Sequence, residues 1–91
     1  MIDEREYGLT SEHRRYVIEQ KFGSYQINEI ELLLSEVKNQ TDRVLGAILF
    51  LVRENDLSNI KYWIELANND EKKLLTAATV KHERVTGKLK F

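Results

Sequence analysis

Two histidines, each beside a glutamate, are the side chains best suited to acid–base or metal chemistry: Glu12-His13 and His82-Glu83. Imidazole exchanges a proton near neutral pH and is a common metal ligand. A metal site on one helix needs ligands three or four residues apart, so that they share a face. Neither His13 nor His82 has a His, Asp or Glu at that spacing, and an adjacent glutamate points about 100° away. His13 lies in the polar run His13-Arg14-Arg15, and His82 lies at the edge of an apolar stripe. Both are expected to be ordinary surface or boundary histidines. An enzyme pairing His82 with Glu83 is the least supported of three functional classes.

Other chemistry is excluded more sharply. The chain has no cysteine, so disulfides and thiolate metal centres are ruled out. Its four glycines, at positions 8, 23, 46 and 87, are too far apart for a phosphate-cradling loop, and no serine sits in a Gly-x-Ser-x-Gly elbow. The acidic residues fall on the outer faces of the expected helices, where solvated charge is the default. No catalytic, cofactor-binding or metal residue is assigned, and the protein is expected not to be an enzyme.

The residues suited to binding another protein are Tyr62, Trp63 and Leu66, with the isolated Leu32. Tyrosine and tryptophan are enriched among residues that dominate binding energy, and they also fill small cores. Trp63 borders the core stripe of its helix, whereas Tyr62 and Leu66 lie further round.

The elements that position these side chains are helices. Ninety-one residues make one domain, and 42% hydrophobic with 32% charged residues is a globular balance. There is no proline, and leucine, glutamate, lysine and alanine favour helix. Residues 44–52, Val-Leu-Gly-Ala-Ile-Leu-Phe-Leu-Val, are apolar except for Gly46. A helix apolar all round must be covered on every side. The expected fold is therefore an all-α, compact bundle of four or five helices around a central apolar helix at about 42–54, with helices two, four and five around it. It forms a single helical domain over 1–91 with short ends at 1–9 and 87–91. Gly46 costs up to about 1 kcal/mol against alanine inside a helix, which points to close approach of a neighbour.

Around this hub, Thr10 or Ser11 caps a first helix that Gly23 ends, and Ile18, Phe22 and Tyr25 have helical spacing. Tyr16-Val17-Ile18 is also strand-like, so a short hairpin over 14–26 is the alternative. A second helix, about Tyr25 to Lys38, places Ile27, Ile30, Leu33, Leu34 and Val37 on one arc. Thr41 caps the hub helix. The fourth helix, Leu57 to Ala67, has a core stripe of Leu57, Ile60, Ile64 and Ala67, and its apolar arc spans roughly 220°. Asn68 or Asn69 caps the last helix, whose buried side is Leu74, Leu75, Ala77, Ala78 and Val85, and Gly87 ends it.

Charge bounds the partners. A formal net charge of −1 gives no overall field toward nucleic acid or anionic lipid. The start is acidic (Asp3, Glu4, Glu6, Glu12) and the end basic (Lys81, Arg84, Lys88, Lys90), as two solvated ends or as a basic patch for an acidic partner. The first residues lack an apolar signal core, the hub run is far shorter than the ~20 residues that span a bilayer, and cysteine is absent; the expected location is cytoplasmic. The expected function is a small non-enzymatic protein–protein interaction module of adaptor, inhibitor or immunity type, acting on a protein partner or on itself as a homodimer. The alternative is a small nucleic-acid-associated regulator with a helix-turn-helix-like pair at helices three and four, although that recognition helix carries only Lys61 and Glu65 as charges.

Overall fold

The computed structural model of the chain describes residues 11–85. They form five α-helices and one 3₁₀ turn: α1 (Ser11–Phe22), the turn Ser24–Gln26, α2 (Ile27–Leu34), α3 (Asp42–Leu51), α4 (Leu57–Asn69) and α5 (Glu71–Val85). No strand occurs among the described residues, and the architecture is the expected all-α bundle.

The first helix is helical throughout, which settles the hairpin alternative against a strand. Its end is set by Gly23, whose φ of 90° and ψ of 156° belong to backbone that side chains rarely adopt. The Gly23 N–H donates to the Glu19 carbonyl at 2.9 Å, and the Gln26 N–H returns to the Gly23 carbonyl at 3.2 Å. Ile18 and Phe22 are buried four residues apart, but Tyr25, the next member of the expected stripe, is 92% exposed. The 3₁₀ turn breaks the 100° progression and rotates Tyr25 into solvent.

For the same reason α2 starts at Ile27 rather than Tyr25. It also stops at Leu34 rather than Lys38. The Glu36 and Val37 N–H groups bond three residues back, to Leu33 and Leu34 at 3.0 and 3.1 Å, tightening the last turn. Gln40 Nε2 then donates to the Leu34 and Val37 carbonyls at 2.9 and 2.6 Å. Val37 stays in the core although it has left the helix.

Thr41 caps α3 as expected, its Oγ1 accepting from the Val44 N–H at 3.3 Å. Every residue from Val44 to Leu49 is buried, Gly46 included, so α3 is the hub. It ends at Leu51 instead of Glu54, because Val52 turns extended with ψ 144°. Helices α1, α4 and α5 pack on α3, whereas α2 packs chiefly on α1 and α4, a correction to the expected shell of helices two, four and five. Of the groups at the ends of the chain, Thr10, the acidic residues 3, 4 and 6, Gly87, Lys88 and Lys90 lie outside the described residues, as does the side chain of Val85.

The α3–α4 turn uses Asn55 at φ 58°, a conformation asparagine tolerates, and Asp56 caps α4 by accepting from the Asn59 N–H at 3.1 Å. The expected cap of the last helix, Asn68 or Asn69, is corrected to Asp70. Its N–H donates to the Leu66 carbonyl at 2.7 Å, closing α4, while its Oδ1 accepts from the Lys73 N–H at 3.2 Å, opening α5. One residue thus serves both helices, and α4 runs two residues past Ala67.

Candidate functional site

Helix α4 positions the candidate binding residues because its two sides differ in burial. Ile60, Ile64 and Ala67 face the core, with half-buried Leu57 packed against them. Trp63 and Leu66 are also half-buried against that core, and Tyr62 remains 56% exposed. Trp63 Nε1 donates to Asn59 Oδ1 at 3.2 Å, and the same oxygen accepts from the Arg53 N–H at 2.7 Å. The indole is therefore locked to the α3–α4 turn. The Tyr62 ring meets it edge-on, with centroids 4.9 Å apart and planes at 75°, a favourable aromatic geometry. A rigid indole thus braces an exposed phenol.

Leu32, the fourth predicted interface residue, is 69% exposed on α2. Helices α2 and α4 touch, and a groove of about 470 Å³ runs between them. Leu33 and Ile64 line it, with Glu36, Lys38, Lys61 and Glu65 as charged members; neither Leu32 nor Tyr62 does. Asn68 bridges its end, accepting from the Lys38 N–H at 2.7 Å and donating to the Glu36 carbonyl at 3.1 Å. A second cleft of about 330 Å³ lies between α1, α2 and the start of α3. Its floor of Ile18, Leu34 and Leu45 is buried, and its two arginines are engaged: Arg14 pairs with Asp42 and Arg15 with Glu31 at 3.2 Å.

The histidines are placed apart from any such cleft. His13 is exposed on α1, its ring 5.8 Å from that of Tyr16. His82 is only 6% exposed, 6.4 Å from the Phe50 ring, so it belongs to the core side of α5 rather than to its boundary. Among the described residues no three His, Cys, Asp or Glu side chains gather where they could hold a metal ion. Nor is any helix there long and apolar enough to cross a membrane.

A cluster that sequence reasoning missed sits at the C-terminal end of α3. Lys21 Nζ, from α1, donates to the carbonyls of Leu49, Val52 and Phe50 at 2.7, 3.0 and 3.3 Å. Lys81 Nζ, from α5, donates to the Phe50 carbonyl at 2.6 Å and stands 4.8 Å above the Phe50 ring. The last carbonyls of a helix lack partners within it and carry partial negative charge, so ammonium groups are apt caps. Burial first, and then the like charge of Lys81, push the Lys21 amine down to about 8 against the opposing pull of Glu54. Burial also lowers Lys81. The only sequence signal was position: Lys21 lies between Ile18 and Phe22 on the flank of the buried stripe. The cluster ties both outer helices to the hub, with Lys21 spending its three donors and Lys81 one on backbone carbonyls.

No protein-family model, curated protein or solved structure matches this chain.

Proposed function

We propose that the domain is a non-enzymatic protein–protein interaction module of adaptor, inhibitor or immunity type that binds a protein partner or a second copy of itself through the outer face of α4. The observation that supports this reading is the Tyr62–Trp63 pair: an exposed phenol held edge-on against an indole that is itself fixed by Asn59. A pre-positioned aromatic loses little conformational entropy on binding and presents both apolar area and a hydroxyl. Beside it lie the flank of Leu66 and the charged pair Lys61 and Glu65. Absence of cysteine suits a reducing, cytoplasmic setting.

The test compares wild type with Tyr62→Ala. Sedimentation equilibrium reads self-association, and tagged protein in native lysate at moderate salt reads other partners by mass spectrometry. The expected result is an association, with itself or with one near-stoichiometric protein, that Tyr62→Ala weakens at least tenfold. A wild type that associates with no protein, or only in a way indifferent to Tyr62, overturns the reading. A steeply salt-dependent shift of duplex or single-stranded probes would instead place the chain among nucleic-acid regulators.

A further inference from the structure

Helix α4 also carries information about its partner. Its exposed side chains are Ser58, Lys61, Tyr62, Glu65 and Asn69. Lys61 and Glu65 flank Tyr62 and stand four residues apart, yet among the described residues neither takes part in an ion pair. The groove beside them is charged by Glu36, Lys38, Lys61 and Glu65, two of each sign. Such a balanced edge favours neither a polyanion nor a strongly charged peptide, but it complements itself when turned end for end.

We propose that two copies of the chain pair through antiparallel α4 helices about a two-fold axis near residue 63, with Lys61 of each copy facing the partner's Glu65 and the two Tyr62 rings together at the axis. This rests on α4 being the interaction face. Charge selects the direction. In a two-fold interface each contact occurs twice with roles exchanged. Antiparallel helices set position 61 against 65 on both sides of the axis, giving two attractive pairs. Parallel helices would set Lys61 against the partner's Lys61 and Glu65 against the partner's Glu65. The axis passes Tyr62 and the half-buried flank of Trp63 and Leu66, which supply the apolar centre, while Ser58 and Asn69 reach the polar ends. At 1.5 Å per residue α4 is about 20 Å long, so the contact falls below the standard interface size. The dimer is a weak one.

Charge reversal tests the pairing, because all sites changed are exposed and outside the core. The proteins are wild type, Lys61→Glu, Glu65→Lys, the double swap Lys61→Glu/Glu65→Lys, and an equimolar mixture of the two single variants, each checked for helicity and run by sedimentation equilibrium at low salt. Each single variant should dimerise at least tenfold more weakly than wild type, since it sets like charges opposite one another twice. The double swap should restore wild-type affinity, and the mixture should form a heterodimer that neither variant forms alone. Single variants that dimerise like wild type, or a double swap that fails to recover, overturn the arrangement. A wild type that stays monomeric to 500 µM while still retaining another protein through Tyr62 overturns the second copy as partner and leaves α4 as the interaction face. Dimerisation indifferent to Tyr62 as well as to Lys61 overturns both.

Discussion

Replacing Lys21 with methionine isolates the lysine caps of α3, because methionine keeps an unbranched apolar stem and removes only the charged head. The Phe50 carbonyl retains Lys81 at 2.6 Å, and its bond to Lys21, at 3.3 Å, is weak by distance. The carbonyls of Leu49 and Val52 lose donors at 2.7 and 3.0 Å. A buried carbonyl left without a partner costs about 1–3 kcal/mol, and water reaching this part-buried site holds each near the low end, together about 2–3 kcal/mol. Against this, methionine need not hold a charge away from water. The fall of the Lys21 amine from 10.5 to about 8 sets a ceiling of about 3 kcal/mol for that relief, which exposure of the chain reduces to about 1 kcal/mol. The net loss is about 1–2 kcal/mol, or about 5–15 °C in Tm. Urea unfolding followed by the fluorescence of Trp63, the single tryptophan, measures it. The pH dependence supplies a second reading with a definite sign. The folded chain releases the Lys21 proton near 8, and the unfolded chain near 10.5. Between those values the unfolded state holds more protons, so stability rises with pH. The destabilising share is full below pH 8 and gone above about 10.5. Subtracting the variant's profile from that of wild type cancels the tyrosines and should leave a rise of about 1 kcal/mol. A variant as stable as wild type at pH 7, or parallel profiles, would show that the carbonyl bonds and the buried charge do not oppose each other as argued.

Two further substitutions address the hub and the first turn. Leu49 is fully buried on α3, and Leu49→Ala should cost about 2–5 kcal/mol through lost burial and a residual cavity; guanidinium denaturation checks this, and a loss below 1 kcal/mol would remove α3 from the centre of the core. A Cβ at Gly23 would meet nothing within 4 Å, so Gly23→Ala carries only the backbone cost of φ 90°, about 1–3 kcal/mol. Equal thermal midpoints for that variant and wild type would show that the α1 end adopts another conformation.

The helices were legible where burial is periodic and illegible where a single hydrogen bond decides. Val44 to Leu49 announced α3 because no packing of one helix face alone could cover them, and the Thr41 cap followed from residue type. Ile60, Ile64 and Ala67 marked the core side of α4 in the same way. The ends went wrong for a different reason. Periodicity continues through Val37 and Val52, and both are buried, but each reaches the core from outside its helix. Burial pattern reports which residues are inside; it does not report the backbone conformation that carries them there. The choice between Asn68, Asn69 and Asp70 as cap was likewise invisible, since all three are good capping types. What decided it was that the Asn68 side chain is taken up by Lys38 and Glu36, thirty residues or more away in sequence.

The same distinction explains why the candidate site was half legible. An apolar arc wider than one core contact requires pointed to α4, and residue types singled out Tyr62 and Trp63. The arc alone left open which residue was core and which was surface. Asn59 resolves it: by accepting from both the Trp63 indole and the Arg53 N–H, it draws the indole against the turn and leaves Tyr62 outermost. Lys21 shows the converse. A lysine beside a buried stripe is normally a surface charge with a packed stem, and its use became visible only once Val52 turned extended and α3 ended early, exposing the Leu49, Phe50 and Val52 carbonyls to one ammonium. Both side chains act on backbone groups whose availability depends on where a helix stops. Helix termini, the places where pattern is weakest, are therefore where this fold fixes its aromatic face and anchors its outer helices.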